Sequence, residues 1–297
     1  MKKVVRTARK AIKLFCIKDG SDFHLKDIDP SYAKIFTAKQ KKATKEMMAK
    51  MILMIEKLQG RLYAANKFGI LLVFQGMDTA GKDGAIKHVV SGVNPQGCQV
   101  FSFKAPSTEE LDHDYLWRCN KHTPNRGQIG IFNRSYYEET LAVRVHPEFL
   151  DAQRLPKVKK NIWRNRFEDF RSHERYLNRN GIVVCKFFLH ISKNEQKERL
   201  LTRLDTPEKN WKFSERDLVE RGFWKKYQAA YEDVIRNTST EDAPWFVIPA
   251  NKRWFARYIV SCVIVDALAK MELAYPVMKP ARKKQLAAAR KTLLSEK

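Results

Sequence analysis

A short apolar strand followed at once by a glycine-rich loop constrains this chain more than any other feature. Residues 70–74 read Ile-Leu-Leu-Val-Phe, and residues 76–84 read Gly-Met-Asp-Thr-Ala-Gly-Lys-Asp-Gly. A continuous apolar run of this kind is typical of a strand that a parallel sheet buries on both faces. The loop matches the phosphate-binding pattern G-x-x-x-x-G-K, except that Asp83 stands where Ser or Thr is usual. Helical periodicity over residues 85–90 completes the strand–loop–helix order that this pattern requires.

The glycines of the loop have a physical role. Gly76 and Gly81 let the backbone turn so that successive N–H groups face one anion, and the following helix adds its positive N-terminal end. Lys82 is expected to bridge the outer phosphate oxygens as a mobile cation in an open, solvated position. A surface lysine beside a glycine-rich turn is the alternative. The residues predicted here to bind phosphate or nucleotide are Gly76, Thr79, Ala80, Gly81, Lys82, Asp83 and Gly84.

Two carboxylates within this loop indicate a metal ion. A carboxylate in a phosphate cradle is repulsive unless a cation lies between the two groups. Asp78 and Asp83 therefore predict Mg²⁺, which favours one or two carboxylates together with phosphate oxygens and water. Mn²⁺ is the alternative ion. We also expect Asp78 to take part in catalysis.

A second group of polar residues follows the predicted strand at residues 129–132. The Walker B pattern ends such a strand with an Asp that holds the metal shell, and here Asn133 takes that place. Glu138 is predicted to restore the missing negative charge as a metal ligand. Arg134 and Arg144 are predicted to stabilise charge on a transferring phosphoryl group. The alternative is a helix start with ordinary surface charges.

A basic hairpin at residues 203–214 has the composition of a mobile lid. Lids of phosphotransferases carry Arg and Lys that close over the phosphates and exclude water. The aromatic residues Trp211 and Phe213 are expected to anchor the closed lid. In the alternative interpretation the hairpin is a solvated charged loop whose two aromatics belong to the core. The cations assigned to the lid are Arg199, Arg203, Lys209 and Lys212.

The remaining patterns predict an α/β fold in which strands alternate with helices. This order favours one parallel, doubly wound, five-stranded sheet flanked by helices. We expect an N-terminal helical extension over residues 1–65, a core over 66–275 with its lid around 203–218, and a basic tail over 276–297. The predicted strands are 70–74, 100–103, 129–132, 182–189 and 245–248. The predicted helices after the loop helix are 107–117, 157–177, 193–204, 217–235 and 253–271, and an amphipathic helix precedes the first strand at 40–59.

The charge of the chain indicates a polyanionic partner. Lys and Arg number 57 against 33 Asp and Glu, which gives a net charge of +24. Such an excess suits nucleic acid, an anionic membrane or a phosphate polymer. No apolar run approaches the roughly 18 residues that a membrane span needs, and the cationic N-terminus does not lead into the apolar segment of a signal peptide. We therefore expect a cytoplasmic protein with no membrane partner.

Three motifs in combination resemble the polyphosphate kinase 2 family: residues 76–84, 132–138 and 209–213. Residues 106–118 and 243–250 fit the same pattern, and the similarity covers about residues 25–275. The resemblance implies a thymidylate-kinase-like P-loop fold with a helical lid, magnesium dependence, and polyphosphate as phosphoryl donor to nucleotides. The functional positions that it carries over are Asp78, Lys82, Asp83, Asn133, Arg134, Glu138, Arg144 and Arg203.

The pair Asn133 and Glu138 resembles the third class of that family, which phosphorylates both nucleoside monophosphates and diphosphates; the first class has Asp at the position of Asn133. The resemblance thus implies reversible, Mg²⁺-dependent transfer from polyphosphate to AMP and ADP, or to GMP and GDP. We expect a homo-oligomer, either a dimer or a tetramer. Three residues are candidates to frame the acceptor nucleotide: Asp112, Asp114 and Trp117.

Two other functions compete with this interpretation. An ATP-dependent nucleoside monophosphate kinase shares the phosphate loop, but it needs Ser or Thr where Asp83 stands and has no need of so large a positive charge. A nucleic-acid-binding protein would require aromatics interleaved with basic residues on an exposed platform. The aromatics of this chain lie mainly in apolar strands or on helix faces, which disfavours nucleic acid as a partner.

Overall fold

One six-stranded sheet organises the protein, which we describe from a computed structural model for residues 2–34 and 41–296, with the backbone alone at 41–44. The strands lie in the order β1-β6-β5-β2-β4-β3. The five predicted strands are present and run parallel to one another. The strands are β1 Cys16–Ile17, β2 Gly69–Gln75, β3 Cys98–Ser102, β4 Ile129–Asn133, β5 Ile182–His190 and β6 Trp245–Pro249.

The prediction of a five-stranded, purely parallel sheet is wrong by one edge strand. β1 pairs antiparallel with β6, through Cys16 opposite Phe246 and Ile17 opposite Trp245. A strand of two half-buried residues is too short to show the alternation by which strands are recognised in a sequence. β3, at the other edge, is the most exposed of the predicted strands, because it pairs with β4 alone.

The predicted helices are present with two exceptions, although α2 ends at Ala65 and not at 59, and α8 begins at Ile162 and not at 157. Gln40, the first residue of the predicted N-terminal helix, lies outside the described residues. The helices are α1 Lys2–Ile12, α2 Lys41–Ala65, α3 Lys82–Val89, α4 Thr108–Leu111, α5 Trp117–Asn120, α6 Ala142–Val145, α7 Phe149–Ala152, α8 Ile162–Arg179, α9 Lys193–Leu204, α10 Pro207–Asn210, α11 Glu215–Gly222, α12 Trp224–Thr238, α13 Arg253–Lys270 and α14 Pro280–Ser295.

Both exceptions have a local cause. The helix predicted over 107–117 begins with the expected capping box at Ser107 but stops after one turn. Asp114 then accepts a hydrogen bond from the backbone N–H of Leu116, an arrangement that favours a turn over a continued helix. The helix predicted over 217–235 is divided into α11 and α12 at Gly222, because glycine is a poor helix residue and a common helix end.

Two groups of helices cover the sheet. α13 is buried along most of its length and packs against α1, α2 and α3. α8 packs against β5 and against α12. None of the helices described is both long and apolar enough to cross a bilayer. The core formed by the sheet and these helices fixes the carboxyl edge of the strands, where β2 and β4 end beside each other.

Candidate active site

The phosphate loop lies between β2 and α3 in the strained backbone that its glycines permit. Gly81 has a φ of 104° and directly precedes α3. Gly76 has a φ of 156°, and a Cβ there would lie 3.0 Å from the backbone oxygen of Leu189. Both positions therefore require glycine, the first for its conformation and the second for the close approach of β5. Thr79 also has a positive φ, 62°, so the loop is held in a narrow turn.

Lys82 is the first residue of α3 and turns back onto the loop. Its ammonium group donates to the backbone oxygen of Gly76 at 2.7 Å and to that of Met77 at 3.4 Å. The side chain is buried at 8% exposure, so the expectation of an open, solvated lysine is wrong. Burial, together with the positive charge of Arg134, lowers the pKa of Lys82 to about 8, although the nearby carboxylates oppose the shift.

Arg134 links two of the predicted metal ligands. Its guanidinium donates to Asp78 Oδ1 at 2.7 Å and to Glu138 Oε2 at 3.5 Å. Glu138 first, and then Asp78, raise the pKa of Arg134 against the opposing effect of burial. Arg134 follows β4 directly and has a φ of 64°. The guanidinium is therefore fixed between the loop and the turn after β4.

Asp83 and Asn133 form the second link between these two segments. The side-chain amide of Asn133 donates to Asp83 Oδ1 at 2.9 Å, and it also lies 3.4 Å from Ser102 Oγ at the end of β3. From the predicted lid segment, Lys212 Nζ approaches Asp83 Oδ2 to 3.9 Å. One carboxylate thus contacts the end of β4 and the lid while belonging to α3.

A strongly basic cavity of about 550 Å³ lies over these residues. Nine of its lining residues are Lys or Arg and two are Asp, so its walls attract anions. Twelve of the predicted site residues line it: Asp78, Thr79, Ala80, Gly81, Lys82, Asp83, Gly84, Asn133, Arg134, Arg203, Lys209 and Lys212.

Sequence reasoning missed five polar residues of this cavity: Ser102, Lys104, Thr202, Arg253 and Arg257. The sequence does contain a pattern that could have placed the two arginines in the cavity. They are four residues apart at the start of the helix that follows β6, and the carboxyl ends of parallel strands meet at one edge of the sheet. Arg257 lies so close to α3 that a Cβ on Gly84 would be 3.1 Å from its Nη2.

Arg199 clamps the phosphate loop and is not a lid cation. Its guanidinium donates to the backbone oxygens of Thr79 and Ala80 at 2.9 and 2.8 Å. It also donates to the backbone oxygens of Ala250 and Asn251 after β6, at 2.5 and 3.0 Å. The interpretation of Arg199 as a phosphate-closing residue is therefore wrong, because its donors are occupied by backbone carbonyl groups.

The segment predicted to form the lid, residues 203–218, contains the end of α9, all of α10 and the first half of α11. Arg203 donates to the backbone oxygen of Lys212 and to Asp217 Oδ2, each at 2.9 Å. Trp211 is 77% exposed and belongs neither to the core nor to an anchor in this conformation. Its ring lies 5.0 Å from Lys212 Nζ, so the tryptophan contacts a lid cation instead.

Four predicted site residues lie elsewhere. Arg144 forms an ion pair with Asp233 of α12 and does not line the cavity. Asp112 is paired with Arg154, and Asp114 is engaged in its own turn. The ring of Trp117 stacks on His113, with 3.8 Å between centroids, and Lys121 Nζ lies 4.0 Å from its centre. The assignments of these four residues stay predictions.

The carboxylates of the cavity suit a metal ion held jointly with phosphate. Within the described ranges, no group of three or more His, Cys, Asp or Glu side chains is arranged to hold a metal alone. Asp78 and Asp83 both line the cavity, however, and Mg²⁺ takes one or two carboxylates and completes its shell with phosphate oxygens and water. The donor set therefore fits a divalent metal ion that is held together with phosphate oxygens.

A phosphate loop at the carboxyl edge of a parallel sheet, under a basic cavity, defines an α/β protein that binds phosphate groups. The family model described as Polyphosphate kinase 2 (PPK2) matches residues 38–276. The chain belongs to the polyphosphate kinase 2 family and is a kinase-type transferase.

Named relatives and a solved structure agree with this membership. An ADP-polyphosphate phosphotransferase of Rhodopseudomonas palustris is 48% identical over 270 residues, which are 90% of this chain and 91% of that protein. An AMP/ADP-polyphosphate phosphotransferase of Meiothermus ruber is 44% identical over 273 residues, covering 92% and 98%. The crystal structure of Polyphosphate Kinase 2 from Arthrobacter aurescens TC1 matches with a TM-score of 0.85 at 38% identity, over 94% and 96% of the two chains.

Proposed function

We propose that this protein transfers phosphoryl groups from inorganic polyphosphate to AMP and ADP, reversibly and with Mg²⁺, on a thymidylate-kinase-like P-loop fold. The observation that carries the proposal is the excess of cations around the phosphate loop: nine Lys and Arg against two Asp in one cavity. A nucleotide alone does not need so many, whereas a chain of phosphates does. GMP and GDP are further candidate acceptors, and Mn²⁺ is the alternative ion.

The proposed reaction is an in-line displacement without a covalent enzyme intermediate. The N–H groups of the loop and Lys82 bind and orient phosphate oxygens, while Arg134 stabilises the charge that spreads in a loose transition state. Arg203 would also stabilise this charge if its guanidinium released Asp217 and bound phosphate. Asp78 and Asp83, with Glu138 behind Arg134, would hold Mg²⁺, which supplies charge neutralisation between donor and acceptor phosphates.

The positive charges of the cavity are neutralised at one end and not at the other, and this difference suggests where each substrate binds. Arg134 and Arg203 are each paired with a carboxylate. Arg253 and Arg257 have no ion-pair partner within the described part of the chain, and the Nε of Arg257 is buried without a hydrogen-bond partner. Because an unneutralised guanidinium favours an anion, we place the polyphosphate chain at this end and the acceptor phosphates beside Arg134.

A donor and acceptor matrix tests the proposal. AMP and ADP are each incubated with Mg²⁺ and with either polyphosphate or ATP, and the products are separated by ion-exchange chromatography. We expect ADP from AMP and ATP from ADP when polyphosphate is the donor. Phosphorylation of AMP by ATP alone, with no reaction from polyphosphate, would instead identify an ATP-dependent nucleoside monophosphate kinase.

Two further expectations accompany the proposal. We place the protein in the cytoplasm, where nucleotide acceptors are available, and its five cysteines are unpaired thiols, as expected for a reducing compartment. A dimer or tetramer is the expected assembly. Light scattering coupled to size-exclusion chromatography measures the mass directly, and a monomer of 34.7 kDa would contradict that expectation.

A further inference from the structure

A completely buried ion pair lies behind the cavity, between α8 and β5. Lys186 Nζ lies 2.6 Å from Glu174 Oε2, and the two side chains are 0% and 1% exposed. Lys186 stands opposite Val73 of β2, two positions before the last residue of that strand. Neither charged residue lines the cavity. The proposed chemistry therefore assigns the pair no role.

Every charged atom of this pair has a partner. The ammonium group of Lys186 also donates to the backbone oxygen of Thr238 at 2.7 Å and to the Tyr137 hydroxyl at 3.1 Å. Glu174 Oε1 accepts hydrogen bonds from the hydroxyls of Tyr136 at 2.9 Å and Tyr137 at 2.7 Å. Apolar residues of similar volume often stabilise a protein as well as a buried ion pair does. Stability alone thus gives a weak reason for charges at this depth.

The partners of the pair belong to the turn that carries the site. Tyr136–Thr140 form a 3₁₀ turn after β4, and both tyrosines are fully buried against Glu174. Glu139 is held from another direction by Arg166 at 3.2 Å. Glu138 is the residue of the turn whose carboxylate reaches Arg134. The turn is thus fixed in the core on both sides of Glu138.

Arg134 needs such a fixed turn. Its φ of 64° lies in the left-handed region, which is unfavourable for arginine and persists where the surroundings enforce it. Ser135, the next residue, is fully buried, and its hydroxyl accepts the N–H of Tyr137. Any shift of Tyr136 and Tyr137 is therefore transmitted to Arg134 and Glu138 through one short segment.

We infer that Glu174 and Lys186 are positioning residues for phosphoryl transfer: they hold Tyr136 and Tyr137, and through them the orientation of Arg134 and Glu138. The inference rests on the proposed function, in which Arg134 stabilises the transferring phosphoryl group. It assigns no contact with substrate to either member of the pair.

The double variant Glu174→Leu/Lys186→Met tests this inference, because it removes both charges and leaves neither unpaired. We expect a folded protein whose kcat falls by about 10- to 100-fold, since a misplacement of about 1 Å can cost a hundredfold. KM for polyphosphate should change by less than about threefold, because the donor is placed at Arg253 and Arg257, which the variant leaves untouched. The Mg²⁺ concentration for half-maximal rate should rise, since Glu138 would be displaced.

Asp266 provides the matched control. It is buried on α13 and pairs with Arg9 and Lys270, and it does not line the cavity. Asp266→Asn should lower the melting temperature and leave kcat unchanged. If the double variant behaves in the same way, with kcat within about twofold of wild type, the pair is merely structural and the inference is overturned.

A milder variant covers the case in which the double variant does not fold. Tyr136→Phe/Tyr137→Phe removes only the hydroxyls that reach Glu174, and full kcat in this protein would also overturn the inference. Hydrogen exchange of the amides in residues 136–140 is measured in parallel, and we expect faster exchange in the variants than in wild type. Hydrogen exchange can be measured without enzymatic activity. If the wild-type protein transfers no phosphate, the proposed function is contradicted. If the exchange rates of the variants equal those of wild type, the inference is contradicted.

Discussion

Asn133 donates a hydrogen bond to Asp83 across 2.9 Å. At these two positions the chain departs from the common pattern of a Walker A loop followed by a Walker B strand. In that pattern a hydroxyl at the loop and an aspartate at the end of the second strand together hold the metal. Here the loop carries the carboxylate and the strand carries the hydrogen-bond donor. The pair keeps one negative charge and one donor, with their positions exchanged.

This exchange predicts the behaviour of variants at both positions. Asn133→Asp places two carboxylates within hydrogen-bonding distance, so we expect kcat/KM to fall by about tenfold or more. The ratio of AMP to ADP turnover should change as well, because metal placement decides which acceptor oxygen lies in line.

The double variant Asp83→Ser/Asn133→Asp restores the common pattern and should recover part of the loss. Initial rates with both acceptors measure each effect. Equal scaling of the two activities in Asn133→Asp, or a double variant no better than the single one, would show that the two residues do not act as a pair.

The burial of Lys82 predicts a pH dependence. Its pKa is lowered from the ordinary lysine value to about 8, so the free enzyme carries the ammonium charge below that pH and loses it above. We expect kcat/KM to fall as the pH rises through about 8, while kcat should fall at higher pH, since bound phosphate favours the charged form. Rates measured from about pH 6 to 10 at fixed free Mg²⁺ test this. A flat kcat/KM profile above pH 8 would contradict it.

Variants of Arg203 and Arg144 test whether the arginine of the predicted lid takes part in catalysis, with Arg144 as the matched control. Both are partly buried arginines in an ion pair, but Arg203 lines the cavity and Arg144 does not. We expect Arg203→Met to lower kcat by roughly a hundredfold, as for the loss of one transition-state charge contact. Arg144→Met should lower kcat by less than about tenfold. Comparable losses in the two variants would return Arg144 to the catalytic role that the sequence predicts.

The salt dependence of KM tests the basic cavity. Several cations that contact one polyanion release counterions together, so log affinity should fall steeply with log salt for long polyphosphate. Its slope should increase with chain length until the cavity is filled, whereas AMP should respond weakly. The measurement compares donor and acceptor KM from about 50 to 200 mM salt at constant Mg²⁺. Identical slopes for short and long polyphosphate would mean that the charge serves another partner.

Most of the fold could be predicted because its signals are local. Five strands are continuous or nearly continuous apolar runs, and the capping box at Ser107 marks a helix start that the structure confirms. β1 could not be found, since its two residues gain their strand conformation from pairing with Phe246 and Trp245, which are distant in sequence. Tertiary context, which the local pattern does not contain, decides such elements.

The site was predictable where it follows a strand and less so elsewhere. The loop after β2 and the polar group after β4 converge because their strands are neighbours. The burial of Lys82 and the backbone contacts of Arg199 depend on the conformations that these two side chains adopt in the folded protein. The spacing of residues along the sequence does not determine those conformations. The catalytic assignment of Arg144 comes from a short motif and stays a prediction; in the structure Arg144 pairs with Asp233 on α12.

The central claim is that polyphosphate itself donates the phosphoryl group, and phosphorus-31 NMR tests it most directly. The protein is incubated with ADP, Mg²⁺ and polyphosphate of defined length, and the signals of donor and nucleotide are integrated over time. We predict that each ATP formed accompanies the loss of one phosphate unit from the chain, and that folded Lys82→Met, in which methionine fills the buried space of Lys82, keeps less than about a tenth of the rate. ATP formed without loss of polyphosphate, or no ATP from the folded wild type, would contradict the account.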